Sequence, residues 1–90
     1  ITQDLVGECK IRMKLSDNED DNLKRILEAS VEDLTAKCGV FDITVSKRFK
    51  ELVFERSRYV YNDALEYFDN NFLSQVTGLG FSRALEDVVL

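Results

Sequence analysis

Residues 51–72, ELVFERSRYVYNDALEYFDNNF, decide the fold of this chain. Apolar side chains recur there at steps of three and four residues, which places them on one face of a helix rather than on a strand. No glycine or proline interrupts the stretch. The pattern predicts one continuous helix from Phe49 to Phe72, about 35 Å long. Its buried face is predicted to consist of Phe49, Leu52, Val53, Val60, Ala64, Phe68 and Phe72.

A shorter helix is predicted at the start of the chain, over residues 2–14. Leu5, Cys9 and Met13 follow one another at four-residue steps and form a narrow apolar stripe. Gly7 weakens this helix, because glycine inside a helix costs roughly 1 kcal/mol relative to alanine.

A second helix is predicted between an acidic start and a glycine. Ser16 and Glu19 have the spacing of a capping box, in which each side chain bonds the backbone N–H of the other residue. Gly39 stands where a left-handed residue would close the helix. The residues predicted to share its apolar face are Leu23, Ile26, Leu27, Val31, Leu34 and Cys38.

The connection GVFDIT, residues 39–44, is apolar enough to fold over the end of the core, and Asp42 or Thr44 is predicted to cap the next helix. Residues 77–80 are predicted to end the long helix, because two glycines in three residues remove helix stability. A last amphipathic stretch, residues 81–90, follows, with Ser82 as its cap.

The predicted fold is all-α: a small bundle of three principal helices plus a C-terminal helix or tail. Ninety residues are enough for one core. Within that bundle, residues 1–77 are predicted to form the helical domain and residues 78–90 a C-terminal segment used in assembly.

Composition and charge limit the classes of partner and location that are expected. A net charge of −5 and a pI near 4.6 count against nucleic acid as a direct partner, because binding to phosphates depends on a basic patch. No run of about 18 apolar residues is present, so no membrane span is expected. Cys9 and Cys38 lie far apart on apolar faces, and free, buried thiols in a reducing cytoplasm are expected.

Little in the sequence is typical of an enzyme. The chain has no histidine, which is the usual proton shuttle near neutral pH and the commonest metal ligand. Phosphate-binding glycine loops, paired zinc cysteines and nucleophile elbows are also missing. We therefore expect no catalysis, no cofactor and no metal. The acidic residues 17–28 partly match a calcium loop, but Asn22 stands where that loop needs glycine, and helix capping accounts for the acids.

Two groups of residues are candidates for a subunit or partner interface. Arginine and tyrosine are enriched at interfaces, and so small a core cannot bury every aromatic side chain. For the arginines and tyrosines of the first group, the alternative is that they pair with neighbours along the same helix. The second group is the apolar end of the chain, which docks either on its own domain or on another subunit. The candidates are Arg56, Arg58, Tyr59, Tyr61 and Tyr67, followed by Phe81, Leu85, Val88 and Leu90.

The order of these segments resembles a known family. The first helix ends in IRMKL (residues 11–15), the acidic break SDNEDD (16–21) precedes LKRILEASVEDLTAKCG (23–39), and the long helix carries RYVYNDALEYF (58–68). In order and length, roughly residues 5–72 resemble the small head–tail connector, or adaptor, proteins of long-tailed bacteriophages, which are also described as DNA-packaging proteins.

The resemblance implies a structural role. Connectors of this family are helical bundles that assemble as a ring, usually twelve-fold, beneath the portal of the filled capsid. The implied partners are other copies in a dodecamer, the portal protein and the next neck or stopper protein, while DNA only passes through the channel. The implied location is the head–tail junction of the virion, after assembly in the bacterial host cytoplasm. An acidic wall would let DNA slide without sticking.

A head-to-tail ring needs two different complementary patches on each subunit. The arginine–tyrosine group and the apolar C-terminal stretch are the candidates for these patches, and alanine at Tyr59 is then expected to impair assembly more than folding. The alternative function is a small regulatory or adaptor module that binds one partner helix in a groove and forms no ring.

Overall fold

The computed structural model describes residues 2–87, and these residues form a bundle of four α-helices without a strand. The all-α prediction is confirmed. The helices are α1 (Gln3–Met13), α2 (Asp20–Cys38), α3 (Lys47–Tyr61) and α4 (Phe68–Asp87), with 3-10 turns at Asp17–Glu19 and Leu65–Tyr67. Within the described part of the chain, none of these helices combines the length and the apolar character that crossing a membrane requires.

The first predicted helix is confirmed as α1, within one residue at each end, and local signals set both ends. The Oγ1 atom of Thr2 accepts a hydrogen bond from the Leu5 N–H at 3.3 Å. At the other end Lys14 takes the left-handed conformation, with φ 58°. The Leu15 N–H then donates to the Lys10 carbonyl at 3.0 Å and closes the helix.

The second predicted helix is confirmed as α2, but the capping box is wrong. Ser16 makes no side-chain capping hydrogen bond, and a 3-10 turn separates it from the start of α2. Contacts with α1 hold that start instead, because the Asp20 carboxylate accepts hydrogen bonds from Lys10 at 2.6 Å and from Gln3 at 2.9 Å. The hydrogen bond from Lys10 is the main reason why the pKa of Asp20 lies below its usual range. At the end of α2, Gly39 has a positive φ of 99°, as predicted, but its ψ of 177° is extended rather than left-handed helical.

Ser46 caps α3, so the prediction that Asp42 or Thr44 does so is wrong. The Ser46 Oγ accepts a hydrogen bond from the Phe49 N–H at 3.2 Å. Asp42 instead accepts hydrogen bonds from the hydroxyl and the N–H of Thr44, at 2.6 and 2.9 Å, which lowers the pKa of Asp42. Phe41 and Ile43 of the connection pack on the core as predicted, and the Phe41 ring stacks on the Phe49 ring with centroids 5.4 Å apart, whereas Val40 is 70% exposed.

The single helix predicted from Phe49 to Phe72 is wrong, because the chain turns in its middle. Helix α3 ends at Tyr61, and α4 begins at Phe68 after a short 3-10 turn. Asp63, between them, has a left-handed backbone with φ 56°. We call residues 62–64 the hinge. They divide the predicted helix into two helices that fold back on one another.

The hydrogen bonds of the hinge explain how α3 stops without glycine or proline. The Ala64 N–H donates to the Tyr59 carbonyl at 2.8 Å, and the Asp63 N–H donates to the Val60 carbonyl at 3.1 Å. This pair of bonds is the Schellman pattern of helix ends, in which glycine usually takes the left-handed position. Aspartate is one of the few other residues that tolerate that conformation, and it is a weak helix former.

Burial is the physical reason for the turn. A straight helix would leave its second half uncovered in a chain of this size, whereas α4 in the folded hairpin packs against both α2 and α3. Phe68 becomes fully buried and Phe72 half-buried. Fully burying one large apolar side chain contributes about 1.5–3 kcal/mol, so the burial of Phe68 and Leu79 together exceeds the cost of one left-handed residue, about 1–2 kcal/mol.

The prediction that residues 77–80 end the helix is also wrong, because α4 continues to Asp87 with Ser82 inside it. Gly80 instead allows α4 to approach the end of α2. A Cβ atom at residue 80 would lie 3.4 Å from the Lys37 carbonyl oxygen and 3.5 Å from the Cys38 Cα. The neighbouring Leu79 is buried, and this packing offsets the cost of glycine, roughly 1 kcal/mol in a helix.

The core lies between the four helices, and both thiols are in it. Cys9 and Cys38 are free and buried, as predicted. Burial raises the pKa of Cys9 to about 11 and also raises that of Cys38, so both thiols are protonated at neutral pH. The buried apolar residues are Leu5, Val6, Cys9, Leu23, Leu27, Leu34, Cys38, Phe49, Leu52, Val53, Phe54, Phe68 and Leu79.

Candidate assembly surface

Helix α4 has one face in the core and another in the solvent. Phe68 and Leu79 on the inner face are buried. On the other side Leu73, Phe81 and Leu85 are 62, 65 and 55% exposed. Folding of the single chain therefore leaves three large apolar side chains of one helix in water.

After Asp69, the exposed part of α4 carries little charge. Residues 70–85 contain one charged residue, Arg83, whereas 16 residues at the chain average of 32% would contain about five. Arg83 is directed toward the connection before α3, where its guanidinium carbon lies 5.9 Å from the centre of the Phe41 ring. Every exposed residue in this range is therefore uncharged.

We call this surface the outer face of α4. It is defined by Asn70, Leu73, Ser74, Thr77, Phe81, Ala84 and Leu85. Part of it forms a shallow depression, because Gly78 provides no side chain between Ser74 and Phe81. Depletion of charge at the centre of a patch is the compositional mark of a protein interface. Exposed apolar patches on a small protein mark sites of association.

Several predicted interface residues lie on or near this surface. Phe81 and Leu85 belong to the outer face, and Tyr67, which is 57% exposed, immediately precedes α4. Val88 and Leu90 lie outside the described residues. Leu73 is not among the interface residues predicted from the sequence. The scarcity of charge over residues 70–85 was the signal that could have identified it.

Arg56 is directed inward rather than toward a partner. Its side chain is only 13% exposed. The Nε atom donates to the Asp33 carboxylate at 3.1 Å, and Nη1 donates to the Ser30 hydroxyl at 3.0 Å. The buried Ser30 and Ser57 hydroxyls, 3.0 Å apart, continue this network across the α2–α3 contact. Arg56 therefore contributes to the packing of α3 on α2.

Tyr59 is also committed to contacts within the chain. Its ring meets the rings of Phe68 and Phe72 edge-on, with centroids 5.8 and 5.7 Å apart. Its hydroxyl accepts a hydrogen bond from the Asn71 side chain at 2.9 Å. Tyr59 thus links the end of α3 to the start of α4, next to the hinge.

These contacts lead us to expect that Tyr59→Ala lowers the free energy of unfolding by about 2 kcal/mol, since each edge-on aromatic pair contributes about 0.5–1.5 kcal/mol. Urea denaturation followed by circular dichroism measures this loss. Tyr59→Phe is the matched control, because it keeps both ring contacts and removes one exposed hydrogen bond, worth about 1 kcal/mol or less. If Tyr59→Ala left the unfolding free energy unchanged, Tyr59 would remain a candidate interface residue.

Arg58 and Tyr61 lie near the end of α3, on the side that faces the end of α1. The Arg58 side chain, half exposed, pairs with Glu55 at 2.7 Å and lies over the Tyr59 ring. Tyr61 is half-buried and lines a pocket of about 220 Å³ with the end of α1. Cations in this region also complement the negative ends of the α1 and α3 dipoles. The structure therefore separates these two residues from the outer face of α4.

Ion pairs with Arg12 connect α1 to α3 beside this pocket. Arg12 donates to both carboxylate oxygens of Glu51, at 2.9 and 2.6 Å, and to Glu55 at 3.2 Å. The hydrogen bond from Arg12 lowers the pKa of Glu51, and the pKa of Arg12 is raised in return. The Glu51 and Arg12 side chains are both more than a third exposed, so the pair contributes modestly to stability.

The acidic residues do not form a calcium loop, because α2 is helical from Asp20 onward. Among the side chains that the structure describes, no three histidine, cysteine, aspartate or glutamate residues are placed to hold a metal ion together.

Comparison with known proteins finds no match to a protein-family model, to a curated protein or to a solved structure.

Proposed function

We propose that this chain is a non-catalytic structural subunit that assembles with copies of itself, and that it acts as a phage head–tail connector. The observation that carries the proposal is the outer face of α4, where Leu73, Phe81 and Leu85 are exposed among uncharged neighbours. Such a face is favourable only when another protein surface covers it, because exposed apolar area costs about 25 cal/mol per Å² relative to burial.

The connector assignment rests on the resemblance in sequence, and two features of the chain support it. The segments that carry the resemblance lie in an all-α bundle: residues 11–15 follow the course of α1 to its end, residues 23–39 belong to α2 and its cap, and residues 58–68 run from the end of α3 across the hinge to the start of α4. The net charge of −5 suits a channel wall that DNA passes without binding. In this role the chain forms a ring, a dodecamer, between the portal protein and the next neck or stopper protein, at the head–tail junction of the virion.

Phe81→Lys tests the role of the outer face. We expect the variant to weaken self-association at least tenfold, because an ammonium group buried in an interface without a partner is strongly unfavourable. The unfolding free energy should change by less than about 0.5 kcal/mol, since Phe81 is 65% exposed in the single chain. Sedimentation velocity and light scattering over a range of concentrations, with and without the portal protein, measure the association.

Ile11→Lys is the matched control. Ile11 is 80% exposed on α1, away from the outer face of α4, so the same change of charge should leave association as it is. Equal losses from both substitutions would show that net charge, rather than this face, controls assembly. A wild-type chain that stays monomeric and never joins portal or neck particles would overturn the connector proposal.

A groove between α3 and α4 favours the second candidate, a module that binds one partner helix. Its volume is about 260 Å³. Leu52 and Phe72 form its apolar floor, and Arg48, Glu51, Glu55 and Gln75 form its polar rim. A complex of one chain with one partner protein, without self-association at any concentration, would favour this function over the ring.

A further inference from the structure

We propose that copies of this chain exchange α4. The hinge opens, α3 and α4 join into one long helix, and the α4 of one copy occupies the groove between α2 and α3 of a second copy. This inference rests on the proposed self-assembly, and it adds a second contact between copies, made by the buried face of α4, to the contact made by its outer face. The helix that fills the groove between α2 and α3 therefore comes from a second copy of the chain.

The first observation is that the two helices share one apolar stripe across the hinge. Val60, Ala64, Phe68 and Phe72 follow one another at four-residue steps, so in a straight helix they would lie on one face. No glycine or proline occurs between residues 40 and 77. The sequence is therefore compatible with one continuous helix, which the folded single chain interrupts at the hinge. Straightening the hinge requires no change in the pattern of apolar residues.

The second observation is that the hinge is short and locally strained. Asn62 and Asp63 are exposed, and Asp63 has φ 56°, a conformation in which an L-residue is disfavoured. Straightening would release this strain and replace the hydrogen bonds of the hinge with ordinary helical ones. Opening thus costs the chain mainly the contacts of α4, which a second copy can restore.

The third observation is that α4 is held by contacts that do not depend on which chain provides it. Asp69 pairs with Lys37 at 3.0 Å, and the Cys38 thiol donates to the Val76 carbonyl at 3.4 Å. Gly80 lies against the last turn of α2. Each contact joins the surface of α2 to the surface of α4, so an α4 from a neighbour can make all of them.

Exchange also provides the geometry that a ring needs. When each copy gives its α4 to the next and receives one from the previous copy, the contact is head-to-tail and can close into a ring. Reciprocal exchange between two copies would instead close a dimer. The outer face of α4 stays exposed in either arrangement, so it remains available for a further contact.

A disulfide between α2 and α4 tests the exchange directly. In Gly80→Cys the new Cβ atom would lie 3.5 Å from the Cys38 Cα, so the two cysteines would be neighbours across the contact between α2 and α4. We expect oxidation of the assembled variant to link different chains, giving bands at multiples of 10.4 kDa on a non-reducing denaturing gel. The dilute monomer should form the bond within one chain. Gly80→Cys with Cys38→Ala is the control, and it should form neither product.

The outcomes separate the two proposals. Assembled particles in which the disulfides stay within single chains would overturn the exchange and leave the proposed assembly in place. Failure to assemble under any condition, with the portal protein present, would overturn the proposed function and the exchange with it.

Two hinge substitutions give a second readout that does not depend on cysteine chemistry. Asp63→Gly accepts the left-handed conformation and weakens a continuous helix, whereas Asp63→Ala does the opposite. We expect the ratio of assembled to monomeric protein to be about 30-fold higher for Asp63→Ala than for Asp63→Gly. The left-handed conformation and the helix propensity each contribute about 1 kcal/mol to this difference. Equal assembly of the two variants in light scattering would overturn the exchange.

Discussion

Phe68→Ala is expected to lower the free energy of unfolding by about 3–5 kcal/mol, the range for truncating a buried phenylalanine. Phe68 has no exposed surface, its ring stacks on Phe72 with centroids 5.0 Å apart, and it meets the Tyr59 ring edge-on. It is also the first residue of α4, so its loss loosens that helix from α3. In a domain of this size, whose total stability is about 5–13 kcal/mol, the loss is a large fraction.

Urea denaturation followed by circular dichroism measures the effect. Tyr67→Ala is the matched control, because it truncates an aromatic residue one position away that is 57% exposed. We expect it to cost less than about 0.5 kcal/mol. A loss below about 1 kcal/mol for Phe68→Ala would mean that α4 does not pack on the core as described.

Gly39→Ala is expected to destabilise the chain by about 2–3 kcal/mol. Gly39 has φ 99° and ψ 177°, a combination that is essentially reserved for glycine. In addition, an added Cβ atom would lie 3.0 Å from the Cγ of Arg83, so that side chain would have to move. Both effects act at the point where α2 ends against α4.

Gly7→Ala is the control for this prediction, and we expect the opposite sign. Gly7 lies inside α1, and an added Cβ atom would meet nothing within 4 Å. The gain in helix propensity should stabilise the chain by up to about 1 kcal/mol. Gly39→Ala combined with Arg83→Ala separates the two costs, because the loss that remains is due to backbone conformation. A neutral Gly39→Ala would show that the positive φ is not required.

Much of the bundle was predictable because its signals are local. The apolar periodicity of α1 and α2 and the positive φ at Gly39 depend on residues within a few positions of one another. The burial of Cys9 and Cys38 followed from the same periodicity. The ends of helices were less predictable, since Ser16, Asp42 and Ser46 are all suitable caps and the structure uses only Ser46.

The candidate surface was predictable only in part. Phe81 and Leu85 were identified from their apolar character at the end of the chain, and both are exposed on α4. Arg56 and Tyr59 were placed outside the buried stripe, yet α2 and α4 approach them from the side. Helical periodicity describes one helix and one neighbour, so it cannot show that a third helix covers another face.

Residues 51–72 show which features local sequence determines and which features depend on packing. Their composition and spacing were sufficient to specify helix and to place the apolar side chains on one face, because both properties act over one or two turns. Aspartate permits the turn at residue 63, but packing decided that the helix turns there and that α4 continues through Gly80. The burial of Phe68 and Leu79 against α2 and α3 supplies the free energy for both, and no local stretch of sequence contains that contribution.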